Sequence, residues 1–313
     1  MRTAFIQALN ELADKDDRVC LVVGDLGFSV IEEFANKHPD QFVNAGVSEQ
    51  NMIGLAAGMA LTGKIVFTYS IGNFATLRCL EQIRNDVCYH RANVKVVAVG
   101  GGLAYGNLGV THHASEDVAI MRALPNMVVV APGDPIEARL ATGAVVALDG
   151  PCYLRLGKAG EPVVYEKEPQ FEIGRAVTLR EGKDLTLIAS GGMLATADKV
   201  ARTLVAQDLD ARLLSMHTVK PLDRQAVVLA ATETGFLFTL EEHSVEGGLG
   251  GAVAEVMAEL DPGHAPLKRI GLRPEFNKTV GDQNYLKLLH GLDEESVLKT
   301  IQKSIARRYG RVG

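Results

Sequence analysis

Short apolar runs rich in β-branched residues recur along the first half of the chain, at 19–23, 42–45, 64–69, 94–99, 127–131 and 152–156. Between them lie stretches with helical spacing, notably 72–90, 115–124 and 135–148, and the chain starts with an amphipathic helix. Strands that alternate with helices predict an α/β fold whose parallel sheet is covered on both faces by helices. At 157–172 the pattern breaks into Gly157, Gly160, Pro162, Pro169 and several charges, which reads as a connection between domains. The predicted division is a first domain at 1–165, a linker at 166–182 and a smaller α/β domain at 183–313. The second unit repeats the alternation, with strands at 185–189, 211–216, 236–240 and 267–271 and helices at 195–207, 223–232, 249–259 and 293–305. Its basic end, 307–311, reads as solvated.

Ligands of such sheets bind beyond the carboxyl ends of the strands. Asp25, Glu49, Tyr69, the glycines at 100–102 and Arg155 all end or follow a predicted strand. Glu49 is the most informative of them. It opens a helix made of small and apolar residues, including Gly54, Ala56, Ala57, Gly58 and Ala60. A carboxyl group delivered there by a strand-to-helix turn is suited to proton transfer. Taken alone, Ser48 is a good N-cap, and an acid in the first helical turn is what the helix dipole favours. The company Glu49 keeps along the next hundred residues decides between the two.

Composition narrows the function class. The net charge is -6 and aromatics make up 5%, with no Trp, so neither a phosphate-backbone footprint nor a base-stacking platform is expected. Cys20, Cys79, Cys88 and Cys152 form no C-x-x-C pair and read as reduced core residues of a cytoplasmic protein. No secretory h-region and no membrane-length apolar run is present.

Three apparent motifs fail on inspection. Residues 58–65 nearly spell a phosphate loop, but Ile65 stands where a hydroxyl is needed and the helix precedes the strand. The glycines at 100–102 do not complete G-x-G-x-x-G, because position 105 is Tyr, and those at 247–251 fail at Val253. His112-His113 has no acidic partner at ligand spacing, so no metal held by this chain alone is expected.

Several motifs occur in a telling order: Gly46-Val47-Ser48-Glu49-Gln50-Asn51, Tyr69-Ser70-Ile71-Gly72-Asn73-Phe74, Glu81-Gln82-Ile83-Arg84-Asn85-Asp86, Thr111-His112-His113, and Tyr153-Leu154-Arg155-Leu156-Gly157-Lys158. Followed by Met216-His217-Thr218-Val219-Lys220-Pro221 and Glu241-Glu242-His243, the series resembles the pyrimidine-binding and C-terminal domains of the transketolase family, over essentially the whole chain. The resemblance implies thiamine diphosphate as cofactor, with Glu49 as the carboxyl that hydrogen-bonds its aminopyrimidine ring and Asp25 as a further cofactor-binding residue. It also implies an aromatic ring stacked on the aminopyrimidine. Ile71 stands where that aromatic is usual, Phe74 supplies the next one, and Tyr69 is a second candidate. His112 matches the family histidine that contacts the reacting sugar oxygens. Arg2, Ser29 and Arg155 fall where the family holds a sugar phosphate, a task that suits guanidinium forks. Leu108 replaces an acidic residue common before the Thr-His pair, and the upstream histidine of many transketolases falls in the glycine run.

The family's G-D-G segment, which holds Mg2+ and the diphosphate, is missing here. The expectation is therefore the second subunit of a split transketolase, inactive alone. Its partner is a diphosphate-binding subunit that holds most of the Mg2+ coordination, in an α2β2 assembly. The expected reaction transfers a two-carbon ketol unit between sugars, and the resemblance implies phosphorylated ones. The alternatives are the beta subunit of a 2-oxoacid dehydrogenase, a deoxyxylulose-phosphate-synthase-like enzyme, and a non-catalytic module of the same descent. Intact Glu49 and His112 argue against the last.

Overall fold

In a computed structural model of the protein, residues 1–309 are described. Among them, twelve strands form two sheets. The first sheet takes β1 (Val19–Val23), β2 (Phe42–Asn44), β3 (Ile65–Ile71), β4 (Val94–Val99), β5 (Val128–Val130) and β6 (Cys152–Leu156). The second takes β7 (Val177–Arg180), β8 (Leu185–Ala189) and β9 (Ala211–Ser215), then β11 (Leu237–Ser244) and β12 (Leu267–Leu272). Strand β10 (Thr218–Lys220) belongs to the first sheet, whose order is β10-β5-β6-β4-β3-β1-β2. The second sheet runs β12-β11-β8-β9-β7. All pairings are parallel except β10 on β5 and β7 on β9.

Two departures from the expected division are informative. Residues 177–180, expected in the linker, form the antiparallel edge of the second sheet. Residues 218–220, expected in the second domain, cross back to close the far edge of the first. The connecting segment also serves both units. Phe171 and Ile173 pack on the first core, and Val164 and Tyr165 on the second. Apolar side chains at the end of one domain have no reason to respect a boundary drawn along the chain.

The first sheet is buried on both faces, as uninterrupted apolar strands require. One face packs Met52, Ile53 and Ala56 of the Glu49–Leu61 helix. The other packs Phe5 and Leu9 of the Arg2–Ala13 helix and Ala138 and Ala141 of the Pro135–Val146 helix. The latter helix starts on Asp134, whose side chain accepts the Glu137 amide, with Pro135 in the first turn.

The stretch 72–90 is not one helix. It breaks into Gly72–Ala75, Leu77–Cys79, Leu80–Gln82 and a wide-turn segment, Ile83–Cys88. At the first break the Thr76 hydroxyl donates to the Gly72 carbonyl. Gly72 itself permits a close approach, since a Cβ there would lie 2.6 Å from the Cβ of Ala114. That approach brings the loop after β4 down onto the segment after β3.

Candidate active site

Glu49 is the first residue of its helix and only 2% exposed. The turn that delivers it needs Gly46 at φ 75, a conformation glycine adopts freely. The end of β1 abuts the carboxylate, since a Cβ on Gly24 would sit 3.4 Å from Glu49 Cγ. Asp25 follows at φ 55, and its carboxylate accepts from Asn44 Nδ2 at 3.0 Å. Asn44 Oδ1 in turn accepts the amides of Asp25 and Gly46. The side chain of Asn44 thus ties the ends of β1 and β2 together beside Glu49.

Both carboxylate oxygens of Glu49 have partners. Ser70 Oγ lies 3.4 Å from Oε1, and Arg78 Nη1 donates to Oε2 at 2.8 Å. The Arg78 guanidinium carbon also stands 4.4 Å over the centre of the Phe74 ring. The Phe74 and His112 rings lie 5.0 Å apart in a T-shaped pair, with the planes 68° apart. His112 Nδ1 is bonded to Thr111 Oγ1 at 3.0 Å, and Tyr105 stands beyond the imidazole at 6.5 Å. The fold therefore unites Glu49, Phe74 and His112, three sequence candidates from three separate loops.

It separates others. Side chains alternate across β3, so Ser70 reaches Glu49 while Tyr69 and Ile71 face the opposite core. Tyr69 is fully buried and stacks on Phe5 at 6.0 Å, and burial raises its hydroxyl pKa. Neither residue is placed to stack on a ring that Glu49 holds. Arg2 exerts its charge on Tyr69 and Tyr105 and has a buried Nε without a protein partner. Ser29 is exposed, at φ 65, and its amide donates to Glu32.

Arg155, expected to hold a phosphate, is more enclosed than that role requires. It is 7% exposed and donates from Nε to Asp117 at 2.7 Å, and from Nη2 to the carbonyls of Ala114 and Glu242. Asp117 is wholly buried and also accepts from Tyr153 at 2.5 Å. Burial works against the Asp117 charge, but the Arg155 guanidinium, with the Tyr153 hydroxyl, overcomes it and holds the carboxyl below its usual range. Burial lowers the pKa of His243, consistent with a neutral ring whose Nε2 accepts the Ala119 amide. This is an interdomain lock, continued by Glu242, which accepts the Leu103 amide and pairs with Lys287 at 3.1 Å. Most of the Arg155 fork is spent here, and the residue opens only onto a cleft of about 440 Å³ between the domains.

Sequence reasoning missed Arg78, Tyr105 and Asp117. Arg78 had a signal: it is a cation four residues after Phe74, within reach of the ring although the helix between them breaks at Thr76. Asp117 had one too, because an arginine inside an apolar strand demands a buried counter-ion. Among the described residues, no group of three or more His, Cys, Asp or Glu is placed to hold a metal, and no helix is long and apolar enough to cross a membrane.

Comparison with known proteins converges on one family. The transketolase pyrimidine-binding domain matches residues 1–160, and the transketolase C-terminal domain residues 174–297. An apulose-4-phosphate transketolase subunit of Phocaeicola vulgatus is 40% identical over 96% of this chain and 95% of its own. The 6-deoxy-6-sulfo-D-fructose transketolase subunit SqwH of a Clostridium species is 39% identical over 98% and 95%. A solved split-gene transketolase, an inactive β4 tetramer, superposes with a TM-score of 0.87 at 39% identity and covers 96% of both chains.

Proposed function

The chain belongs to the transketolase family, and we propose that it supplies the pyrimidine-binding half of a split enzyme's active site through Glu49, Phe74 and His112. It is a transketolase-type transferase subunit that works with a partner subunit. The reaction moves a two-carbon ketol unit between sugars, and the family's cofactor, thiamine diphosphate, supplies the carbon nucleophile when bound. One observation carries the residue assignment: a buried carboxylate, an aromatic face and an imidazole from three loops converge at the carboxyl ends of β2, β3 and β4.

That donor set fits an aminopyrimidine ring. Glu49 offers a hydrogen-bonding carboxylate edge that is itself buried, and Phe74 offers the flat face. Glu49 orients the ring and holds a proton at its far nitrogen. His112, with Nδ1 bonded to Thr111, presents Nε2 to the sugar oxygens and donates where negative charge develops. Asp25 and Asn44 keep the two loop ends rigid beside Glu49. Arg2 and Ser29 take the anionic end of a phosphorylated sugar, and Arg155 contributes only the part of its fork that Asp117 and the two carbonyls leave free.

The partner subunit holds the diphosphate and most of the Mg2+ coordination. The exposed face of the Glu49–Leu61 helix, with Gly54, Leu55, Gly58 and Leu61, supports close approach by that partner. An α2β2 assembly follows from the usual two-fold symmetry of such folds. The inactive β4 state of the solved relative supports the reading that this subunit alone does not turn over. The four buried free cysteines suit a reducing cytoplasm. The test is to titrate the purified chain with thiamine diphosphate and Mg2+, with and without a diphosphate-binding subunit. Ketol transfer is expected only in the mixture, and turnover by this chain alone would overturn the split-site reading.

A further inference from the structure

We propose that Arg78 holds the place of the cofactor's aminopyrimidine ring before that ring arrives, and swings out to admit it. The inference rests on the assignment of Glu49 and Phe74 made above. Its ground is a coincidence of contacts. The ring needs a hydrogen bond from Glu49 and a stacked face from Phe74, and the planar Arg78 guanidinium already makes both, at 2.8 Å and 4.4 Å. A guanidinium is flat, donates in its plane and stacks through its face, so it satisfies the same two surfaces as an aminopyrimidine.

A buried carboxylate at this place needs a partner whenever the ring is not bound. Glu49 is almost wholly buried, and its other contact, to Ser70, is long at 3.4 Å. Leaving such a carboxylate without a cation is strongly destabilising. The neighbouring Cys79 cannot serve, because a thiol carries no positive charge and its Sγ donates to the Phe74 carbonyl at 3.2 Å. Arg78 can serve and can also leave. Its side chain is 47% exposed, so an outward route to water is open. Its main chain belongs to the Leu77–Cys79 turn, and its carbonyl accepts from Gln50 Nε2 at 3.1 Å. The movement is therefore a side-chain rotation, and cofactor entry is an exchange of partners on Glu49 rather than the filling of a void. The population in which Arg78 has left limits the apparent affinity.

The experiment has two arms. In the first, a double-mutant cycle on the lone subunit compares Arg78→Ala and Glu49→Gln by thermal midpoint. Arg78→Ala is expected to lower the midpoint by several degrees in the wild-type background and to leave it unchanged beside Glu49→Gln. Equal shifts in both backgrounds would overturn the proposal. In the second, thiamine diphosphate association with the assembled enzyme is followed by circular dichroism under Mg2+. Arg78→Ala is expected to speed association about tenfold without weakening affinity, and Arg78→Lys to fall between it and wild type. A tenfold loss of affinity with an unchanged association rate would make Arg78 a permanent cofactor ligand and overturn the place-holding role. Glu49→Gln separates the two levels. If it leaves cofactor affinity and turnover untouched, the Glu49 assignment fails and the place-holder with it. If it impairs them while Arg78→Ala behaves as a lost ligand, only the present inference fails.

Discussion

Arg78 and Arg155 each pair with a buried carboxylate near the carboxyl end of the same sheet, yet their surroundings give them opposite uses. Arg155 and Asp117 are both enclosed, with Tyr153, His243 and two carbonyl oxygens completing the network. Every contact is inside the protein, and it spans two domains. Arg78 reaches Glu49 from a half-exposed position, over an aromatic face, with water on its other side. The first pair is a lock, since neither partner can leave without stranding a charge. The second is displaceable, because the arginine can be rehydrated while another donor takes the carboxylate. The same ion-pair chemistry thus serves stability where both ions are buried and ligand exchange where only the acid is.

Four measurements break or sharpen this contrast, taken from the largest expected effect downward. Glu49→Gln keeps the shape but removes the ionisable group, so turnover with the partner subunit is expected to fall by roughly two to four orders of magnitude. The urea midpoint of the lone subunit should move little, and near-normal turnover would remove Glu49 from the site. Asp117→Asn strands the Arg155 charge, and a loss of about 3–5 kcal/mol in unfolding free energy is expected. A change below about 1 kcal/mol by urea titration would mean the lock is no stronger than a surface pair.

Arg2→Ala is expected to raise the KM of a phosphorylated ketose by about tenfold or more, from a lost charge-assisted bond of about 1.5–3 kcal/mol. The unphosphorylated ketose should be affected much less. Equal effects on both would make Arg2 part of the packing around Tyr69 and Tyr105 rather than an anion ligand.

Glu241 tests burial without any arginine in direct contact. It accepts the amides of Leu249 and Gly250 and lies 3.6 Å from His243. Burial pushes its carboxyl up to about 7 despite those amides. A carboxyl whose folded value lies above its unfolded one contributes its full stability below the unfolded value and loses it as pH rises through about 7. Between pH 5.5 and 7.5 the wild type should lose about 1–2 kcal/mol relative to Glu241→Gln, measured by urea unfolding at each pH. A parallel pH dependence of the two proteins would show that the amides keep Glu241 ionised throughout.

Much of this was legible in the sequence. Short runs rich in β-branched residues that alternate with helical stretches favour strands of a covered parallel sheet, so the sheets and their helices follow largely from patterning. Glu49 was visible because a strand-to-helix turn places one carboxylate at a known point of a doubly wound sheet. Phe74 and His112 were visible as members of an ordered series of motifs. Each of these depends on residue type and local order along the chain.

What the chain order left open depends on three-dimensional neighbours. The face to which Tyr69 points is set by the pleat of β3 relative to Glu49, and no motif records that register. Arg155 stands at a family position for phosphate, but Asp117, thirty-eight residues away, takes its Nε, and Glu242 in the second domain takes part of its remaining capacity. Residues 218–220 leave their own domain because the first sheet has an open edge on β5 that can satisfy their backbone. Local periodicity specifies which elements form and which residues they can offer. Which partner each polar group meets is a property of packing, decided only when distant segments compete for the same buried donors and acceptors.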